Sequence, residues 1–369
     1  MKFLVSILLT AFLTAFGFNL YAQDSKIYEP KPIVDIRGDE TPDHSNIEII
    51  ETTTSPRFDP VYTSEFTFNV HNITDRKTGY DLQSNASTQQ VWLDYGNPNF
   101  LHAIFTNSQV ATTWADRTCL YFGSTDAGVT WFEFGGVPVN TGSDGRSGFP
   151  SVYGLVGGEA IILDHNNSSG TITHTKVYAD NSPFEYNFTE YDPNNISDGP
   201  VWPRHTVTAN GIVIFASSGS PAPDDDVKIN TLDLSTGVFS GWQDLESDDA
   251  EQYDFSISPN GKIGLAYNGW DGATPDESGD VLYRESTDNG LTWSDPPIKV
   301  IDRDETQDTA MGSIRGVAVN FYNEEPCVTY EICQQIFSGG NFFPGLPSEI
   351  HFWSPNVNGG LPQVIADSS

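Results

Sequence analysis

The sequence predicts an all-β chain built from repeated four-stranded antiparallel sheets, and three observations carry that reading. First, Leu120-Tyr121-Phe122-Gly123-Ser124-Thr125-Asp126-Ala127-Gly128-Val129-Thr130-Trp131 returns as Leu282-Tyr283-Arg284-Glu285-Ser286-Thr287-Asp288-Asn289-Gly290-Leu291-Thr292-Trp293, with the pattern S-x-D-x-G-x-T-W intact in both. Second, turn signals at Asn97-Pro98-Asn99, Gly157-Gly158, Asn210-Gly211, Asn260-Gly261 and Asn323-Glu324 recur at roughly the interval that one four-stranded sheet needs. Third, 33 Gly and 23 Pro punctuate short alternating runs, and almost no stretch carries a helical period.

Taken in order, residues 1–22 have the form of an export signal: Lys2, a mostly apolar run from Phe3 to Leu20, then small Ala22 before Gln23-Asp24. The run is interrupted by Ser6, Thr10, Thr14, Gly17 and Asn19 and is short for a membrane span, so the mature chain is expected to be secreted or at the cell surface or periplasm, with no transmembrane segment. Residues 23–57 are acidic and Pro-rich without a sustained apolar period and read as a flexible tether. Patterned sequence occupies 58–369, and alternation from Val61 to Val70 suggests a strand that pairs with the C-terminal part of the chain. Five repeats follow, at about 85–135, 147–190, 198–245, 250–300 and 308–366. In each, a second hairpin follows the first. Two of these second hairpins are the repeated octet, a worn copy lies at Ser235 to Trp242, and Val177–Phe188 and Ile350–Val364 fill the same slot without the motif.

The octet has the chemistry of a tight hairpin. The Asp carboxylate accepts backbone N–H groups two residues on, Gly adopts φ > 0 without a Cβ clash, and Trp opens the next strand half-buried. In the eight positions of both copies the chain resembles the Asp-box, or BNR-repeat, β-propellers of the sialidase-like superfamily. That resemblance implies a β-propeller of four-stranded blades with the boxes on the outer rim, so Ser124, Asp126, Gly128, Thr130, Trp131, Ser286, Asp288, Gly290, Thr292 and Trp293 are expected to be structural. Such propellers usually have six or seven blades. Five repeats are visible here, and six or more are possible if the chain is C-terminally incomplete or its N-terminal strands form a divergent blade.

The chain is strongly acidic, with 17 Lys+Arg against 50 Asp+Glu and a formal net charge of −33, which disfavours nucleic acid and anionic membranes as partners. Glycans and extracellular proteins remain. No nucleophile elbow, zinc-protease helix, P-loop or dinucleotide fingerprint is present, and no cofactor is required. Three cysteines cannot make a disulfide framework, and Cys327 and Cys333, about 20 Å apart on an extended run, cannot bridge each other. Calcium is possible at Asp224-Asp225-Asp226, Asp271 to Asp280 and Asp302 to Asp308, although solvated loops explain these acids equally well and none has EF-hand spacing.

The resemblance to sialidases also implies a site: three arginines clamping a substrate carboxylate, a Tyr nucleophile assisted by Glu, and an Asp acid/base. Here the early Arg motif is absent, since Ser55-Pro56-Arg57-Phe58 has the wrong order. Arg146, Arg204 and Arg315 stand near the first strands of three repeats, where guanidinium groups suit a carboxylate. Glu251 and Tyr253, two apart on one strand face, are candidates for the catalytic pair. Trp202-Pro203-Arg204-His205 brings ring, cation and imidazole together at one repeat's start and is the favoured ligand patch, with Trp202 and His205 as contacts. Each of these residues also has an ordinary structural reading in an acidic β protein. The expected function is a secreted glycan- or protein-binding module or scaffold; the alternative is an exo-acting glycoside hydrolase with the arginine clamp.

Overall fold

The computed structural model describes residues 73–74, 77–78, 89–94, 96–110, 116–132, 135–140, 146–166, 173–193, 200–218, 227–246, 252–269, 279–301, 303–304, 307, 309–313, 316–336 and 341–367. All belong to one compact unit spanning Thr41–Ser368. The expected export signal, the tether and the strand at 61–70 lie outside the described residues.

Five antiparallel sheets follow one another along the chain. The first holds β1 (Lys77–Thr78), β2 (Val91–Leu93), β3 (Leu101–Ser108), β4 (Thr118–Ser124) and β5 (Val137–Pro138). The second holds β6 (Gly148–Gly154), β7 (Ala160–Asn166), β8 (His174–Asp180) and β9 (Phe188–Tyr191). The third comprises β10 (Val201–Val207), β11 (Ile212–Ser218), β12 (Val227–Asp233), β13 (Val238–Phe239) and β14 (Gln243–Glu246). The fourth comprises β15 (Tyr253–Ile257), β16 (Ile263–Gly269), β17 (Asp280–Ser286) and β18 (Ile298–Ile301). The fifth is β19 (Thr309–Gly312), β20 (Val317–Tyr322), β21 (Glu325–Ile336), β22 (Asn341–Trp353) and β23 (Gln363–Asp367). Each expected repeat therefore forms one sheet. Two sheets have a first strand in two pieces, β1 and β2 both pairing β3, and β19 and β20 both pairing β21.

Consecutive sheets pack face to face, because strands with alternating side chains have an apolar set on each face to bury. Ile104, Tyr121, Val152, Ile162 and Tyr178 fill the space between the first and second sheets. Leu163, Val177, Val213 and Phe215 fill that between the second and third. Ile214, Ile229, Phe255, Leu265 and Tyr267 join the third to the fourth, and Ala266, Tyr283, Val319, Val328 and Trp353 join the fourth to the fifth. Among the described residues, no such cluster joins the fifth sheet to the first.

The repeated octets connect β4 to β5 and β17 to β18. In each, the Ser hydroxyl donates to the Asp Oδ1 (2.9 Å from Ser124 to Asp126, 2.8 Å from Ser286 to Asp288) and accepts the Gly N–H at 2.9 Å. The same Asp accepts the Thr N–H and the Thr hydroxyl, at 2.8 and 2.6 Å from Thr130 and at 2.9 and 2.6 Å from Thr292. Gly128 and Gly290 both sit at φ = 82°, the left-handed region where Cβ clashes. Trp131 and Trp293 pack against their sheets' apolar clusters, and the Trp293 indole N–H donates to Gly290 O.

The three cysteines are free: Cys119 and Cys333 are buried and Cys327 is half-buried, the last two both on β21. Asp288→Ala removes three hydrogen bonds that close the box and is expected to lower stability to urea by about 1–3 kcal/mol, the range for losing the partner of several turn N–H and O–H groups. Ligand binding should be unchanged in the same variant, since the box lies at the third-to-fourth strand turn; chemical denaturation and a binding isotherm check the two parts.

Candidate functional site

The first strands of all five sheets border one cavity of about 660 Å³. Its wall takes Trp92 from β2, Tyr153 from β6, His205 and Thr206 from β10, Asp254 through Ile257 from β15, and Val319 and Asn320 from β20, with Gln89 beside them. Gln89 is held there by its own carbonyl, which accepts the Val152 N–H at 2.8 Å.

Trp92 and Tyr153 stack with ring centroids 4.0 Å apart and planes inclined by 30°. Gly154 makes that seat available, because a Cβ there would lie 2.7 Å from Trp92 Cδ1 and 2.7 Å from the His102 ring. On the opposite wall Ser256 donates to Asn320 Oδ1 at 3.3 Å, tying the fourth sheet to the fifth across the cavity edge. The lining is thus an aromatic surface facing uncharged polar groups, and Asp254 is its one carboxyl group among the described residues.

Asp254 lies deep in the molecule yet keeps part of its surface open, and it lines the cavity. Burial pushes its carboxyl up to about 6, opposed by the Val319 N–H that donates to Oδ2 at 2.8 Å and by the charge of Arg204. Near neutral pH this group exchanges its proton readily.

His205 contributes a surface and no charge. Its Nδ1 is hydrogen-bonded to Ser151 Oγ and its Nε2 lies 3.2 Å from Ile161 O, so both ring nitrogens are engaged; burial lowers its pKa to about 3.

The proposed ligand patch is divided by the strand. A register shift between Val201 and Arg204 marks a β-bulge, and Trp202 sits there at φ = 55°, a strained conformation for a bulky residue. Beyond the bulge Arg204 pairs with Ala216 and His205 with Phe215, which belong to opposite faces of the third sheet. Arg204 consequently turns toward the fourth sheet and His205 toward the second. The Trp202 ring meets Phe149 edge-on at 6.3 Å, outside the cavity lining, and the Trp202 backbone N–H donates to His165 Nδ1 at 3.2 Å.

The arginines are likewise apart. Arg146 is exposed just before β6, whereas Arg204 is 1 % exposed, and neither lines the cavity; Arg315 lies outside the described residues. All three Arg204 side-chain nitrogens are enclosed by protein without a hydrogen-bond partner among the described residues, and burial lowers its pKa to about 10 while Asp254 and Tyr253 act in the other direction. The Tyr253 hydroxyl donates to Trp202 O at 2.5 Å and the side chain is fully buried; Glu251 lies outside the described residues. Among the described residues no group of three or more His, Cys, Asp or Glu could hold a metal ion, and the Asp runs considered for calcium fall mostly outside them.

A second ionisable cluster lies between the first two sheets, away from the cavity. Asp164 is fully buried, its Oδ1 accepts the Asn166 amide at 2.9 Å, and that amide also donates to Tyr178 OH at 2.7 Å. Burial raises the Asp164 carboxyl to about 7, against hydrogen bonds from Asn166 and Cys119. Lys176, also buried, reaches outward to Glu190 at 2.5 Å and Asp192 at 3.6 Å.

No known family model and no curated protein matches the chain. Among solved structures it is similar to a polysaccharide lyase of family PL25, an ulvan lyase, with 12 % identity over 80 % of this chain and 74 % of that one and a TM-score of 0.53. The same lyase bound to -[GlcA(1-4)Rha3S]- gives the same values. A Hadza microbial sialidase is similar at 11 % identity over 68 % of this chain and 52 % of that one, with a TM-score of 0.46, too low to bear on the argument. The likeness to the lyase is one of fold. The fold of the chain is all-β with repeated antiparallel sheets, and no helix of the described residues is long and apolar enough to cross a membrane.

Asp164 gives a pH prediction. Its folded pKa, about 7, is above the unfolded value of about 3.9, so the folded state binds the proton more tightly and stability falls as pH rises between those values, by about 1.4 kcal/mol per unit at most. Asp164→Asn, which keeps an acceptor for Asn166, should melt at a temperature less dependent on pH across this window than the wild type; parallel scanning calorimetry checks it.

Proposed function

We propose that the chain is an extracellular Asp-box β-propeller that binds a glycan in its axial cavity. The observation that carries this reading is a cavity bordered by the first strand of every sheet and lined by the stacked Trp92 and Tyr153 together with Thr206, Ser256 and Asn320. Sugar rings offer C–H faces to aromatic planes and hydroxyls to neutral polar groups, and the wall supplies both. Ring closure between the fifth and first sheets is part of the proposal, supported by β2 and β20 sharing the cavity. The repeated octets support the Asp-box assignment through their hydrogen-bonding pattern, and residues 1–22 support export.

The glycosidase reading is second. It has Asp254, a cavity-lining carboxyl raised to about 6, but Tyr253 is fully buried with its hydroxyl on Trp202 O and does not line the cavity, and Glu251 lies outside the described residues, so no nucleophile joins Asp254 in the described lining. The arginine clamp gains nothing from the enclosed Arg204 and the exposed Arg146.

Two variants test the binding site. Trp92→Ala should lose most binding on a glycan array, with a weakening of about tenfold in a titration, a loss of about 1.4 kcal/mol, because the indole supplies half of the stacked aromatic surface. Gly154→Ala should weaken the same ligands less severely, since its Cβ meets Trp92 Cδ1 at 2.7 Å and displaces the ring without removing it. Retained affinity in both, with folding confirmed by circular dichroism, would move the ligand to another surface.

A further inference from the structure

The charge of the cavity wall discriminates among glycans. The Asp254 carboxylate accepts the Val319 N–H at Oδ2 and a backbone N–H from Phe255, and with part of its surface still open it lines the cavity. Two aromatic rings, Trp92 and Tyr153, line the same cavity from the first and second sheets. Among the described residues no cationic side chain reaches the lining: His205 is neutral with both nitrogens engaged, and the nitrogens of Arg204 are enclosed by protein. A partly open carboxylate in a cavity that also presents aromatic faces suits a ligand with an ammonium group on a ring, the charge meeting the carboxylate and the ring an aromatic plane. The formal net charge of −33 also draws cations toward the surface and repels anionic sugars.

Resting on the axial cavity as the glycan site, we propose that its ligand is an amino sugar whose protonated amine pairs with Asp254 and whose ring lies against Trp92 and Tyr153. Arg204 is the one charged group acting on Asp254 among the described residues. It stands on the far side of β15 from Asp254, facing Tyr253 and the cluster between the third and fourth sheets, and it favours the ionised carboxylate without offering the ligand a contact. The fifth sheet meets Asp254 with the uncharged Val319 and Asn320. The ammonium therefore faces a carboxylate directly, with the guanidinium more remote.

The test is calorimetric titration of the whole folded chain near neutral pH with a glucosamine tetramer and with its N-acetylated counterpart, which keeps the rings and removes the charge. The wild type should prefer the amine form by about tenfold or more, and Asp254→Asn, which retains an acceptor for the Val319 N–H, should bind the two alike. Equal affinities or a preference for the acetylated tetramer in the wild type would overturn the inference. So would a preference that survives Asp254→Asn, which would assign it to the acidic surface at large. 1,4-Diaminobutane, carrying charge without a ring, should bind more weakly than the glucosamine tetramer; equal binding would overturn the saccharide part. The underlying site is separated by Trp92→Ala: if that variant abolishes binding of the acetylated tetramer and no amine preference exists, the cavity stands and only the amino-sugar inference falls, whereas unchanged binding of both tetramers removes the cavity itself.

Discussion

Face-to-face burial of consecutive sheets is the constraint on which the rest of this molecule depends. A strand with apolar side chains on both faces is stable only if both are covered, and from the second sheet to the fourth each sheet is sandwiched between its neighbours in the chain. Sheets stacked in this way bring their first strands side by side. Those strands have one lateral edge paired to the second strand of their own sheet, and the other edge borders the shared space. The cavity is thus a by-product of core packing, furnished by whichever side chains stand at that edge.

The turns serve the same arrangement by fixing register. In the repeated octets, one carboxylate and one hydroxyl satisfy the N–H groups that the reversal exposes, and a glycine absorbs the left-handed step. The worn copy retains a part of this: Asp233 accepts the Ser235 N–H at 2.8 Å, Gly237 takes φ = 68°, and Trp242 packs on the cluster between the second and third sheets. The chemistry of the turn therefore outlasts its letter pattern.

These local devices are why the sheet series was legible in the sequence. Turn residues act within a few positions of themselves, and the Asn97, Gly157, Asn210, Asn260 and Asn323 signals each separate the first and second strands of one sheet. The site was far less legible. Arg204 and His205 were grouped because they are adjacent, yet neighbours on a strand face opposite ways, and the bulge at Trp202 resets which way each one turns. Asp254 carried no mark among 50 acidic residues; its character comes from depth, from the Val319 N–H more than sixty positions away in the chain, and from a guanidinium on another sheet. Nothing in its sequence neighbourhood marks Trp92, and its seat depends on Gly154, whose missing side chain is visible as a requirement only once the two sheets meet.

Cys327 gives this architecture a practical handle. Cys119 and Cys333 are buried, so the half-buried Cys327 is the thiol best placed to meet a maleimide reagent. It pairs in register with Asn320, a residue of the cavity wall, one strand away from the space itself. An environment-sensitive dye attached there would stand beside the site without occupying it, turning the native chain into a fluorescent reporter of whatever molecule it captures.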